Sequence, residues 1–222
     1  IAGEAFFLHL QRTIFAPLGM RDTGALRADL DEPRMARGYV RARDRPGRWQ
    51  DNFDPRTPVG TGFGGLYSTA ADLDRFGAAM ADGSLLPAAL MAAWTIGRNP
   101  YHRGVYGLGC SEVTIGGDRI IGHSGGHPGW AGELMVWPAS GWRLSLLTNC
   151  EPDAYFAIVS FAKQLFSGAD SISRNHDFTR RLAATFLAGG AGAARQLLAA
   201  VPPGVRPSEG LMDMVALREI HR

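Results

Sequence analysis

Apolar residues recur along this chain in two rhythms, and the change from one to the other divides it. In the first third they fall at helical spacing. Phe6, Phe7, Leu10 and Ile14 mark an amphipathic helix within residues 1–16, and Leu73, Phe76 and Met80 mark a second one. The second helix starts at Ser68-Thr69, with Asp72 three residues after Thr69 in the arrangement of a capping box. A further short helix is predicted from Pro87 to Trp94, and a short strand over Arg37–Arg41 turns at Arg45–Arg48. Between Val105 and Asn149 the rhythm becomes that of strands. Val105–Ile115 and Arg119–His123 are joined by Gly116-Gly117-Asp118. Leu134–Trp137 and Trp142–Thr148 flank Pro138-Ala139-Ser140-Gly141, whose Pro and Gly supply turn geometry at little steric cost. A helix over 153–166 follows, with Tyr155, Ile158, Val159, Ala162, Leu165 and Phe166 as its stripe. Helices ahead of several antiparallel strands and a closing helix predict an α+β domain, an antiparallel sheet flanked by helices. Residues 1–168 form this domain. Residues 169–222, rich in Ala, Gly and Arg, read as a small helical appendage, with helices near 177–188, 191–200 and 208–221.

Composition narrows the function. With 222 residues, 45% hydrophobic and 20% charged, the chain can bury a sizeable core. A net charge of +2 favours neither nucleic acid nor an anionic membrane as partner. Six arginines between Arg34 and Arg48, interleaved with Tyr39 and Trp49, are offset by Asp29, Asp31, Glu32, Asp44 and Asp51, which describes a solvated hairpin. Lys163 is the single lysine, so chemistry that needs one has one candidate. Cys110 and Cys150 lie in apolar contexts and are expected as two buried thiols rather than a bridge. There is no run of 18 apolar residues to span a membrane. No leader is recognisable, and the chain opens on Ile1 rather than Met, so an N-terminal portion is expected to be missing and the compartment is not assigned. The loop PRTPVGTGFGGLY brings Gly60, Gly62, Gly64 and Gly65 together, which lets backbone approach a ligand. A Walker loop would need Lys where Leu66 stands, so the ligand is not a nucleotide phosphate. His9, His102, His176 and His221 show no metal spacing.

The stretch that asks for a function is Ile120 to Trp130. His123, Ser124 and Gly125 follow Ile120-Ile121 directly on a strand, then comes a glycine-rich loop, and polar groups on a buried strand need a reason. His123 can donate or relay a proton, Ser124 Oγ can bond a carbonyl or carboxylate, and Gly125 lets a substrate lie along the strand. His127 and Trp130 are candidate pocket walls, and Gly64 and Gly65 are counted with them as substrate-binding candidates.

Five motifs in one order then carry a resemblance. They are Pro17-Leu18-Gly19-Met20-x-x-Thr23, Gly64-Gly65-Leu66-Tyr67-Ser68-Thr69-Ala70-Ala71-Asp72-Leu73, Tyr106-Gly107-Leu108-Gly109, Gly122-His123-Ser124-Gly125-Gly126 and Leu147-Thr148-Asn149. Over about residues 1–167 the chain resembles the serine β-lactamase-related hydrolases of the class C and D-alanyl-D-alanine carboxypeptidase type, which include esterases and D-aminopeptidases. The resemblance implies a β-lactamase/transpeptidase-like fold and acyl transfer to water through an acyl-serine, on a small-molecule or peptide substrate, without cofactor or metal. His123-Ser124-Gly125 corresponds to the family's third motif, and the backbone N–H of Gly126 to part of its oxyanion hole. The family's Ser-x-x-Lys and second-motif Tyr would lie ahead of Ile1. The only Ser-x-x-Lys present, Ser160-Phe161-Ala162-Lys163, follows the third motif and sits off the apolar stripe of its helix. The expectation is therefore a C-terminal part of such a hydrolase, incomplete at the N-terminus, with the missing part of its own domain as a partner. The alternative is a non-catalytic module, derived from that fold, that binds a ligand or partner.

Overall fold

The structure is a computed structural model and describes residues 3–25, 35–42, 48–52, 60–101, 104–149, 153–166 and 172–201. The chain falls into two compact units. One comprises Ile1–Thr114 and Asp118–Glu151, the other Ile115–Gly117 and Pro152–Arg222.

The first unit opens with α1 (Phe6–Leu10), which runs on into a π-helical turn, Gln11–Phe15. The wider turn moves the apolar face along by a residue, so Phe15 rather than Ile14 is the buried side chain, and Phe6 at the start of α1 is exposed. Next come β1 (Gly24–Ala25), β2 (Tyr39–Arg41), β3 (Trp49–Asp51) and β4 (Leu66–Tyr67). β1 pairs with β4, and β2 with β3, both antiparallel. The predicted arginine-rich hairpin is thus present, while its tip lies outside the described residues. α2 (Ala70–Asp82) and α3 (Ala88–Thr95) are the two helices the periodicity predicts. Thr69 caps α2 by accepting from the Asp72 amide at 3.1 Å, but Asp72 does not return the bond as a capping box would. Its carboxylate reaches back to residues 22 and 23 instead. Asp72 Oδ2 accepts from the Asp22 amide and from Thr23 Oγ1, each at 2.8 Å, and Thr23 Oγ1 also bonds Ser68 Oγ at 2.8 Å.

The main sheet has six strands, β5 (Asn99–Tyr101), β6 (Gly104–Tyr106), β7 (Ser111–Ile115), β8 (Asp118–His127), β9 (Trp130–Val136) and β10 (Arg143–Thr148). Their order is β10-β9-β8-β7-β6-β5, so each strand lies beside its neighbour in sequence. Three features differ from the sequence reading. Val105–Ile115 is two strands, because Gly107 N–H bonds Cys110 O at 2.8 Å around Gly109, whose φ of +81° suits glycine. β5 was not foreseen. Its Pro100 lacks an N–H, which an edge strand tolerates. The glycine-rich loop after His123 is strand, since β8 continues to His127 and turns at Pro128-Gly129 into β9. Along that ladder Gly125 lies opposite Gly132 and Gly126 opposite Ala131.

The core lies where α2 crosses β9 and β10. Met80, Cys110, Ile121, Leu134 and Val136 form one buried cluster, with Phe76 and Trp94 packed against it. Each fully buried Met, Ile, Leu or Val of this cluster contributes about 1.5–3 kcal/mol on burial. Arg143 of β10 bonds Asp74 of α2 at 2.9 Å beside them. Cys110 is a free, buried thiol as expected, and Cys150 lies outside the described residues.

The second unit contains α4 (Asp153–Phe166) and α5 (Ile172–Ala199). Tyr155, Val159 and Ala162 are buried, whereas Ile158, Phe161 and Leu165 are exposed and Ser160 and Lys163 are half-buried, so the buried stripe is narrower than the periodicity suggested. α5 covers the two helices predicted at 177–188 and 191–200, with the break between them at Gly190 (φ 70°, ψ −170°). The helix predicted at 208–221 lies outside the described residues.

Candidate active site

β8 changes character along its length. Ile120, Ile121 and Gly122 are buried, and every residue from His123 to His127 is exposed. The reason lies in its neighbours. On one side β9 pairs with it throughout, from Ile121 opposite Val136 to His127 opposite Trp130. On the other, β7 begins only at Ser111, whose hydroxyl donates to Gly122 O at 2.9 Å. Past that bond the strand leaves the core with one edge free of β7.

The hairpin therefore gathers His123, Ser124, Gly125, Gly126, His127 and Trp130 on consecutive or paired positions. Alternation puts His123, Gly125 and His127 on one face and Ser124 and Gly126 on the other, with the strand edge accessible to both. His123 Nε2 lies 2.7 Å from the Tyr106 hydroxyl, and the two rings meet edge to face at 5.7 Å. The rings of His127 and Trp130 are 5.8 Å apart. A Cβ built on Gly125 would meet nothing within 4 Å, so open space stands over the middle of this face, while one on Gly126 would come 3.3 Å from Trp130 O. Glu133, directly across from Ser124, is buried.

The β2–β3 hairpin is held against the turn of this site. Trp130 Nε1 donates to Ala36 O at 3.2 Å, and its ring covers Gly38, where a Cβ would come within 2.4 Å. Asn52 Nδ2 donates to Pro128 O at 2.6 Å. From the end of β10, Asn149 Nδ2 donates to Arg37 O at 3.0 Å and Asn149 O accepts from Tyr39 N at 2.9 Å. The arginine-rich segment is thus docked through its backbone. Gly64 and Gly65 lie in the loop ahead of β4. Gly64 exchanges backbone bonds with Thr61 in a tight turn before β4, and Gly65 has a φ of +79°.

Two other groups near β8 are structural. Burial raises the Cys110 thiol above its usual value, which keeps it protonated and unreactive. Glu112 is held below the usual carboxylate value first by its bond to Arg119 at 2.6 Å. Among the described residues no group of His, Cys, Asp and Glu could hold a metal ion, and no helix is long and apolar enough to cross a membrane.

Tyr106 and Asn149 fall in sequence motifs that assign neither of them a role. Asn52 and Glu133 carry no sequence signal, because their placement follows from register and from a docking contact distant in sequence.

An antiparallel sheet with helices and a polar triplet on a central strand defines the β-lactamase/transpeptidase-like class. The family profile described as Beta-lactamase matches residues 1–164, and the chain belongs to that family. No curated protein matches it in sequence. Among solved structures it is similar to a D-stereospecific amidohydrolase from a Streptomyces species, with 26% identity and a TM-score of 0.54 over 67% of this chain and 45% of that one. It is also similar to a penicillin binding protein from Bacillus halodurans, with 23% identity, a TM-score of 0.61 and 69% and 48% of the two chains covered. For an octameric penicillin-binding protein homologue from Pyrococcus abyssi the figures are 22%, 0.64, 75% and 39%. The last two likenesses concern the fold. The chain spans less than half the length of each of the three.

Proposed function

We propose that residues 1–168 supply the substrate-binding strand and third motif of a β-lactamase-family serine hydrolase, and that Ser-x-x-Lys and the second motif come from polypeptide other than these 222 residues. The observation that carries the reading is Gly125. It sits in mid-strand with no close neighbour, so the strand does not need glycine there for packing, and a glycine in such a place serves the close approach of a ligand. An extended amide or peptide lies along the His123–His127 edge by main-chain pairing. The nucleophilic serine attacks the carbonyl carbon, and the amine or alcohol leaves with a proton. Water then attacks the acyl-serine, releasing the acid and restoring the hydroxyl. Gly126 N–H stabilises the oxyanion, Ser124 and His123 bond the substrate's polar groups, and His127, Trp130, Gly64 and Gly65 bound the pocket. No cofactor or metal enters. Amides of D-configured residues are the first substrates to try, given the likeness to a D-stereospecific amidohydrolase. In this reading 169–222 is an appendage, and the polypeptide that carries Ser-x-x-Lys and the second motif is the partner that completes the domain.

The test uses chromogenic D-amino acid anilides and esters with the full reading frame that encodes this chain. His123→Ala lowers turnover about 10²–10⁴-fold. Ser160→Ala leaves it nearly unchanged. The 222 residues alone show no covalent adduct with a β-lactam or a fluorophosphonate by mass spectrometry. A stoichiometric adduct on Ser160, or on any serine of this chain, would overturn the assignment of the nucleophile. A full reading frame that binds these ligands without turning them over would favour the non-catalytic module.

A further inference from the structure

The Tyr106–His123 contact spans more of the sheet than a chance surface contact would. Tyr106 is on β6 and His123 on β8, two strands apart, a separation of roughly 9–10 Å at the usual strand spacing. Only long side chains can bridge it. The residue directly opposite Tyr106 on β7 is Ser111, whose hydroxyl is turned to Gly122 O. The phenol oxygen comes within 2.7 Å of Nε2. It is backed by the ring of Tyr101, 5.1 Å away on β5, and its edge-to-face contact with the imidazole fixes the ring plane.

We infer that Tyr106 is a positioning residue that selects the tautomer of His123, so that the neutral imidazole carries its proton on Nδ1 and serves the site as a hydrogen-bond donor. The reasoning is chemical. A phenol hydroxyl donates more readily than it accepts, and the bare nitrogen of a neutral imidazole is a strong acceptor. The bond made by one ring nitrogen fixes where the proton of the other sits. With Nε2 occupied as acceptor, the group that His123 meets must itself be an acceptor, a carbonyl or carboxylate oxygen rather than an ammonium or a hydroxyl proton. The inference rests on the reading of His123 as a site residue for its consequence in substrate choice. The tautomer itself does not depend on catalysis.

The test is nitrogen NMR of the histidine side chains in the whole chain. It is run at about pH 8.5, above the ordinary imidazole range and below that of a phenol. Wild type shows His123 mainly protonated on Nδ1. Tyr106→Phe keeps the ring contacts and removes the hydroxyl, and it lowers the Nδ1–H to Nε2–H ratio about fivefold, as loss of one ordinary hydrogen bond should. Tyr101→Phe leaves the wild-type ratio, which a merely structural role for the aromatic stack would not separate from Tyr106→Phe. His123 protonated on Nε2 in wild type, or an unchanged ratio in Tyr106→Phe, overturns the inference. If Tyr106→Phe does not fold, the wild-type spectrum alone decides. Should the tautomer differ while His123→Ala still lowers turnover as expected above, only this inference fails and the hydrolase reading stands.

Discussion

Among single residues, Asp72 shows how a family motif can be structural. Its position after Ser-Thr suggests a helix cap, yet its carboxylate is fully buried and bonds the Asp22 amide, Thr23 Oγ1 and Arg75 Nη1, the last at 2.6 Å. That makes the first and second motifs a single joint, in which Thr23, Ser68 and Asp72 hold the chain before β1 against the start of α2. Asp72→Asn swaps one acceptor oxygen for an amide group facing donors, so it should destabilise by about 1–3 kcal/mol. Arg75 is half exposed, and Arg75→Ala should cost under about 1 kcal/mol. Urea midpoints in that order support the joint. Equal midpoints would mean the ion pair, not the buried network, matters.

At the level of elements, β8 carries both fold and site, and two of its glycines separate the roles. A Cβ on Gly122 would sit 1.9 Å from Leu134 O, inside the β8–β9 ladder, while one on Gly125 meets nothing within 4 Å. Gly122→Ala should therefore force the strands apart and cost at least about 3 kcal/mol. Gly125→Ala should fold normally and show its effect in substrate affinity, read from denaturation and KM side by side. If Gly125→Ala proved as destabilising as Gly122→Ala, its glycine would serve the fold. How much was legible follows the same division. Five strand runs, α2, α3 and the hairpin at Pro138–Gly141 were visible, because period and turn residues are local signals. The true length of β8 was hidden because His-Ser-Gly-Gly-His is poor strand sequence, and only pairing with Gly132, Ala131 and Trp130 holds it extended. β5 was hidden by Pro100. The six hairpin residues of the candidate site were named from polarity and from the family resemblance, whereas Tyr106, Asn52 and Asn149 took their places through contacts no window of sequence contains.

For the molecule as a whole, stability in acid depends on how the sheet is tied to the helices, and Glu112 is the group to watch. Its carboxylate accepts from Arg119 Nε at 2.6 Å and from Gly97 N at 2.7 Å, and Arg119 in turn donates to Thr95 O at 2.9 Å. Together these join β7 and β8 to the end of α3. The bond from Arg119, with the Gly97 amide, holds the Glu112 carboxyl below its ordinary value of 4.5. A group depressed in the folded state binds its proton less readily there than when unfolded. Its contribution is therefore complete above 4.5 and disappears as pH falls through the lower folded value. Both side chains are partly exposed, so the amount is about 1 kcal/mol. Glu112→Gln should be less stable than wild type at neutral pH and approach it in acid, giving a shallower fall of the urea midpoint below pH 4.5. Parallel acid limbs for the two proteins would show that other carboxylates set the acid response and that the Glu112–Arg119 tie does not couple the sheet's stability to pH.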